Sequence, residues 1–206
     1  MISLPHATFV HQRIPKEAFY KRLNLSSALK ERFVSDIETI YVENSLTKAH
    51  LNLLEEAKIK EILVVSIVLK KQEYEHRLLE AIARQNPHKL VFLLCYRDQQ
   101  QLAVVYRGKL YRSAWRPKED SILEARGFHM GEVWEALVEQ IALPNEKGVQ
   151  SDKLTLEERL ASQEKREKLE KQIAALQAKI RKEKQLNKQV QMNMELKKAK
   201  IKLEEL

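Results

Sequence analysis

The chain is short of the residues that punctuate or cross-link small folds: it has one cysteine, four glycines and five prolines in 206 positions. With Cys95 alone no internal disulfide forms, so a reducing compartment is the default. Cys95 ends the run Val91-Phe92-Leu93-Leu94-Cys95. That run reads as a buried strand and makes the thiol a core group rather than a nucleophile. So few glycines leave little room for phosphate-cradling loops, which need backbone without side chains, and neither a Walker-type GxxxxGK, a GxGxxG nor a GxSxG is present. The same scarcity of Gly and Pro argues against disorder and against a turn-dense all-β fold. No apolar stretch approaches the roughly 20 residues of a membrane span. The opening MISLPHATFVHQR has no basic start followed by an apolar core, so no signal peptide is expected and the cytoplasm is the expected location.

What the chain does have is apolar content of 44%, enough for a packed core, and 32% charged residues, which is above the usual quarter and points to a long solvated surface. The net charge of +8 is unevenly spread. Residues 1–150 carry 22 basic and 19 acidic side chains, whereas residues 151–206 carry 15 and 10. A basic balance of this kind favours nucleic acid, anionic surfaces or acidic proteins.

Along the chain, Pro15 is placed to start a short helix, and Asn24 or Ser26 to cap a second one through Ala28, Leu29, Phe33 and Ile37. Ile40-Tyr41-Val42 is strand-prone. Ile59 to Leu69 is too continuously apolar for an exposed sheet face and predicts a buried strand. Tyr74, Leu78, Ala81, Ile82 and Gln85 lie on one helical stripe, which Asn86-Pro87 stops, and Leu90 to Tyr96 is a second buried strand. Strand, helix and strand together imply a βαβ crossover. A meander follows: a polar turn over Arg97–Gln100, a strand from Leu102 to Tyr106, a tight turn at Arg107-Gly108, and a strand from Leu110 to Trp115. Val133, Trp134, Leu137, Val138 and Ile141 then mark a helix that docks on the sheet. The fold class is therefore α+β. A small mixed sheet flanked by helices occupies residues 1–142, a linker covers 143–153, and a long coiled-coil-like basic helix covers 154–206.

The tail opens with a Thr155-x-x-Glu158 capping box and contains no Gly or Pro after it. Read as one rod, it spans roughly 75 Å at about 1.5 Å per residue, too long to bury its apolar stripe on so small a domain. With Ile173 at heptad position a, Leu169, Leu176 and Val190 fall at d, and Ile180, Asn187, Met194 and Ile201 at a. Glu183 and Lys197 interrupt the d positions. Between Lys179 and Lys202 nine basic residues face only Glu183 and Glu195. The expected partners of this helix are a second copy of itself or another protein.

Chemistry-bearing patterns are sparse. His6, His11, His50, His76, His88 and His129 are scattered, with no HxxxH or HExxH spacing, so no metal site and no cofactor are expected, and His6 and His11 read as surface residues. Around the meander, Arg97, Arg107, Lys109, Arg112 and Arg116 interleave with Tyr96, Tyr106, Tyr111 and Trp115, a pattern able to stack bases and neutralise phosphates. Aromatics inward and Arg outward on an ordinary half-exposed sheet explain the same alternation. Lys179, Arg181, Lys182 and Lys184 give the tail a sequence-independent phosphate surface. The one enzymatic alternative is a Mg²⁺-dependent nuclease of the restriction-endonuclease type, with Asp36 and the triplet Glu56-Ala57-Lys58 ahead of the Ile59 strand. Glu-x-Lys arises easily by chance in so charged a chain, the triplet precedes the strand, and the interior positions Ser66 and Val68 carry no acid.

Several stretches resemble a bacterial family known as domain of unknown function 4391. They are Leu4-Pro5, Ile14-Pro15-Lys16, Phe19-Tyr20, Lys30, Phe33, Ile37 and Ile40, then Ile59-Lys60-Glu61-Ile62, Pro87, Leu90-Val91-Phe92-Leu93-Leu94, Tyr111 and Trp115. The resemblance covers about residues 4–142 and rests on structural, apolar positions. It implies a setting beside helicase-like ATPases and DNA methyltransferases in phage-defence or restriction-type gene clusters, and brings no catalytic residue with it. The resulting expectation is an accessory or adaptor subunit, not an enzyme, that docks a partner protein such as a helicase-type ATPase. Direct DNA or RNA binding is the alternative.

Overall fold

The computed structural model describes residues 2–54, 58–144 and 154–204, without the side chains of residues 18–20. Its strands are β1 (Ile2–Ser3), β2 (Phe9–Ile14), β3 (Ile37–Thr47), β4 (Glu61–Leu69), β5 (Lys89–Tyr96), β6 (Gln99–Tyr106), β7 (Lys109–Arg112), β8 (Arg116–Pro117) and β9 (Leu123–Glu124). Its helices are α1 (Lys16–Arg22), α2 (Ser27–Asp36), α3 (Lys48–Leu51), α4 (Arg77–Gln85), α5 (Met130–Ala142), α6 (Leu156–Lys182) and α7 (Leu186–Glu204). The chain divides into two compact units, 1–147 and 148–206. Most of the expected linker, residues 145–153, lies outside the described residues.

In the first unit a mixed seven-stranded sheet runs β2-β3-β4-β5-β6-β7, with β8 paired to β6. Only β4 and β5 are parallel, joined by α4 as the strand–helix–strand reading requires. A separate parallel pair, β1 with β9, ties the N-terminal segment to the region before α5. Ser26 Oγ accepts from the Leu29 amide to start α2, and Asn86 follows the last residue of α4.

Alternation along the strands sorts the core into two faces. On one, Val65, Ile67, Leu90, Phe92 and Leu94 join Phe33 and Ile37 and the apolar stripe of α4 (Leu78, Leu79 and Ile82) in a single cluster. Phe33 and Phe92 are fully buried, each contributing about 1.5–3 kcal/mol by leaving water. The other face carries Ile62, Val64, Val91, Leu102 and Val104, all buried, and α5 contacts the β6 and β7 end of the sheet through a helix whose Val133, Trp134, Leu137, Val138 and Ile141 are buried. α5 leaves part of this second face open.

Three expectations change. The segment before Pro15 forms strand β2, where no element is evident in its sequence. The polar stretch Gln99–Gln101 belongs to β6, with Gln100 and Gln101 buried, and the turn shrinks to Arg97 and Asp98. Arg97 takes φ +52° there, and Arg107 and Gly108 take +49° and +78° in the next hairpin, the left-handed conformations that tight hairpins need.

The third change concerns the tail, which is not one rod. α6 opens with the Thr155/Glu158 capping box and ends at Lys182. Glu183 leaves helical geometry with ψ 132°, and its carboxylate accepts from the Lys184 and Gln185 amides, 2.9 Å each. These bonds hold the amides of the break just ahead of α7. A connection this short makes α7 run back along α6 as a helical hairpin.

Candidate functional site

The uncovered part of the second sheet face forms a cleft of about 710 Å³. β2 to β6 each contribute to it, with the N-terminal segment Ile2–His6 and Lys118 at its margins. Its geometry starts from irregular pairing. The β3–β4 register slips between Val42 and Asn44, leaving Glu43 as the extra residue, and the β2–β3 register slips between Phe9 and Gln12, opposite the same place. A bulge re-aims side chains, here turning both Glu43 and Asn44 to the cleft. His11, inside the second slip, has φ +47°. That conformation costs a non-glycine residue about 1–2 kcal/mol, which its contacts must offset.

Those contacts converge on Glu43. Its Oε2 lies 2.7 Å from His11 Nδ1, and its Oε1 accepts from Ser66 Oγ. A carboxylate offers only acceptors, so Nδ1 carries the hydrogen. The order is hydroxyl, carboxylate, imidazole. A nucleophilic relay instead places the imidazole between the other two. The His11 ring is stacked between Phe9 (5.8 Å between centroids, 5° between planes) and Tyr41 (5.1 Å, 9°), and His6 tilts onto Phe9 at 6.2 Å. Asn44 Nδ2 donates to Thr8 Oγ1 at 2.9 Å, pinning the N-terminal segment.

On the opposite side Cys95 pairs with Gln100 across β5 and β6. The Cys95 thiol points to the Leu93 carbonyl oxygen, and its sulfur accepts from Gln100 Nε2 at 3.5 Å. Burial pushes this thiol above its ordinary pKa, with the Gln100 amide and Lys118 pulling it back and Glu43 adding to the rise. Gln100 is 7% exposed, and its Oε1 has no hydrogen-bond partner among the described residues.

Glu43, His11, Ser66, Gln100 and Lys118 are not flagged by any motif. The signal available was polar residues interrupting apolar strands: Ser66 inside Val64-Val65-Ser66-Ile67-Val68, and Gln100-Gln101 ahead of Leu102. His6 and His11 are exposed, in keeping with a surface reading, but His11 is hydrogen-bonded to Glu43 and stacked as well.

The geometry separates two of the three nuclease candidates. Asp36 ends α2 beside the C-terminal end of β4, where Ile37 pairs with Leu69, whereas Lys58 precedes the first residue of that strand. Nine residues at about 3.3 Å each put roughly 30 Å between them, too far for Lys58 to act on a water bound to a metal that Asp36 holds. Glu56 lies outside the described residues. Asp36 is instead a buried brace. Ser35 Oγ (2.7 Å) and Lys71 Nζ (2.9 Å) approach one oxygen; the Glu75 amide (3.0 Å) and Arg32 Nε (3.4 Å) approach the other. Burial alone would raise this carboxyl, but the four donors together hold it below its ordinary value. Among the described residues no three of His, Cys, Asp and Glu gather closely enough to hold a metal ion.

The basic residues of the meander are dispersed. Arg97 and Arg116 lie at one end of β6 and Arg107 and Lys109 at the other, roughly 25 Å away. Arg112 Nη1 reaches the His76 ring, 2.8 Å from Nε2. Arg97, Arg107 and Lys109 lie over the rings of Tyr96, Tyr106 and Tyr111 at 5.2, 5.9 and 5.5 Å, and Tyr96 and Trp115 pack against the core. Lys179, Arg181, Lys182 and Lys184 are exposed at the hairpin tip.

In the hairpin, Leu176 is buried and Leu169, Ile173 and Ile180 are half-buried. The continuous heptad frame fails beyond the break. The least exposed positions of α7 are Gln189, Met192, Leu196, Ala199 and Leu203, spaced alternately three and four, and this is the face turned to α6. Asn187, Val190, Met194 and Ile201 are exposed, as is Leu186.

The class these features define is a mixed-sheet α+β unit, with an open cleft on one sheet face, followed by a helical hairpin. The chain belongs to the family described as domain of unknown function (DUF4391), whose model matches residues 2–203. The match reaches past residue 142, so the hairpin is as much a part of the family as the sheet. No curated protein and no solved structure matches the chain. No helix among the described residues is long and apolar enough to cross a membrane.

Proposed function

We propose that the chain is a non-catalytic accessory or adaptor protein that holds a partner protein through α7. One observation carries this reading. After α7 has closed on α6, Leu186, Val190, Met194 and Ile201 remain 72, 46, 61 and 45% exposed. At 100° per residue these four share one stripe, with Lys197 inside it and Lys198 and Lys200 on either side. An uncovered apolar stripe of this kind marks an interaction surface. A second copy would set lysine against lysine. An amphipathic helix with apolar residues on its inner face and Asp or Glu on its flanks would cover the stripe and neutralise the rim. The occupant is therefore an acidic helix of another protein. A helicase-type ATPase, the partner implied by the family resemblance, is the first to test.

The test uses the full chain and a fluorescent 21-residue helical peptide with Leu at positions a and d and Glu at e and g, alongside its Lys-bearing counterpart. The acidic peptide should bind, weaken as salt is raised, and lose at least about tenfold in affinity (about 1.4 kcal/mol) with Val190→Glu or Met194→Glu. Equal binding of both peptides, or indifference to the substitutions, would overturn the proposal. So would a full-chain dimer in light scattering that Met194→Glu dissociates, or DNA or RNA that competes the peptide away.

A further inference from the structure

We infer that the cleft on the second sheet face is a nucleotide site. It would accept a planar heterocyclic base with a hydrogen-bond donor on its edge and an anionic group beyond it. The site lies in the first unit and does not depend on the docking role of α7.

Four features specify the ligand. The floor is the sheet surface, with Val68, Leu93 and Cys95 in its lining, an apolar bed for a heterocycle. One wall is the stacked series Phe9–His11–Tyr41, in which Phe9 remains 58% exposed. His6 tilts onto Phe9 at 6.2 Å, and the surface Phe9 leaves open between them is a platform for a further ring, since base–aromatic stacking is sequence-tolerant because every base has a π-face. Third, Gln100 Oε1 is buried without a partner. The orientation of its amide is fixed by its neighbour: the Cys95 hydrogen goes to Leu93, so the sulfur is an acceptor and the Gln100 nitrogen is the end that serves it. The oxygen left over has almost no accessible surface in the ligand-free chain, so a base edge would supply its N–H as the Gln100 side chain turns into the cleft it lines. Carboxamide side chains read base edges in this way. Fourth, Lys118 lies against the Gln100 end of the cleft, since β8 pairs Arg116 with Gln100, and its ammonium has no ion pair among the described residues. It is the cation for a phosphate next to the base. At about 710 Å³ the cleft falls within the 300–1,000 Å³ range of small-molecule pockets.

The unsatisfied oxygen gives the proposal a signature that a purely structural role would not produce. Gln100→Met removes a buried group without a partner, so it should raise the Tm of the ligand-free chain by about 2–4 °C while weakening nucleotide binding at least tenfold. Calorimetric titration of the full chain would use the four common ribonucleoside monophosphates, the matching nucleosides, inorganic phosphate and a single-stranded hexanucleotide. One-to-one binding of at least one monophosphate is expected, with about tenfold weaker binding of its nucleoside and a comparable loss in Lys118→Ala. A hexanucleotide at least tenfold tighter than any monophosphate would make the source a nucleic-acid strand; otherwise it is the free nucleotide. Binding of phosphate as tight as of any nucleotide, unchanged binding in Gln100→Met, or no heat with any nucleotide would overturn the inference. The α7 substitutions above should leave this titration unchanged, so the two proposals fail separately.

Discussion

Replacing Asp36 should reveal a structural carboxylate whose contribution depends on pH. The side chain is fully buried, and the groups around it differ in what they lose when it goes. Lys71 and Arg32 are 44 and 43% exposed, so they return to water and the two ion pairs contribute only about 0–1 kcal/mol. The Glu75 amide is less accessible and would be left unsatisfied, at about 1–3 kcal/mol. Asp36→Ala should therefore destabilise the first unit by about 2–3 kcal/mol. Asp36→Asn keeps an oxygen for the Glu75 amide and should lose about 1–2 kcal/mol. The assay is urea unfolding followed by tryptophan fluorescence, because both tryptophans, Trp115 and Trp134, belong to the first unit. The pH dependence has a definite sign. The folded pKa lies below the ordinary 3.8, so the charge-dependent contribution is complete above pH 3.8 and disappears as pH falls through the folded value. The gap between wild type and Asp36→Asn should be constant from pH 7 to 5 and close below about pH 4. Glu75, held at about 2 by Arg77, titrates in both proteins and cancels from the difference. A variant as stable as wild type at pH 7, or a gap undiminished at pH 2.5, would refute this account.

Two further outcomes follow from local geometry. At Gly127, with φ +142°, an added Cβ would lie 2.7 Å from Glu132 Cβ and 2.9 Å from the Val133 amide nitrogen, at the start of α5. Gly127→Ala should cost about 2–4 kcal/mol in urea unfolding. Gly108→Ala, at φ +78° with nothing within 4 Å, should cost only the backbone term of about 1–2 kcal/mol; equal losses would count against the clash. Cys95, whose thiol is held above its ordinary pKa by burial, has less thiolate at pH 8 than a free thiol. Its reaction with a chromogenic disulfide should be at least about tenfold slower than that of the urea-unfolded chain, and should accelerate as pH rises toward 10. A native rate matching the unfolded one would show the thiol to be open.

The sheet was legible where burial acts on both faces. β4 and β5 are continuous apolar runs because helices cover one side and α5 or the cleft lies over the other, and their parallel pairing follows from the helix between them. β2 was not legible. Phe9-Val10-His11-Gln12-Arg13-Ile14 lacks alternation because five of its six residues are exposed at the sheet edge, and the slip in its pairing with β3 helps build the cleft. Gln99–Gln101 misleads for a different reason. Three glutamines between two strands read as a turn until Gln101 is seen to accept from the Tyr74 hydroxyl (2.9 Å) and to donate to the Ser113 carbonyl (2.8 Å). Such partners lie 27 and 12 residues away along the chain, and local pattern has no access to them. Where polar residues are buried in strands, sequence reading fails because their partners are distant in the chain.

The hairpin shows how a single defect redirects a whole argument. A heptad frame carried unbroken from Leu169 to Ile201 places Glu183 at a core position, where a charged residue weakens the seam. The helix ends there, and the Glu183 carboxylate serves the amides of the next two residues. Once the chain reverses, nothing ties the phase of α7 to that of α6. The face α7 turns inward, from Gln189 to Leu203, is chosen by contact with α6, and Leu186, Val190, Met194 and Ile201 are left on a different face. The residues that look like the seam of a self-associating rod thus become an outward stripe among lysines. Of the two expected occupants, a copy of the chain or another protein, the lysines around the stripe favour an acidic helix of another protein, as proposed above. The conclusion rests on the three-residue break, because a straight helix would have buried or exposed the entire frame together.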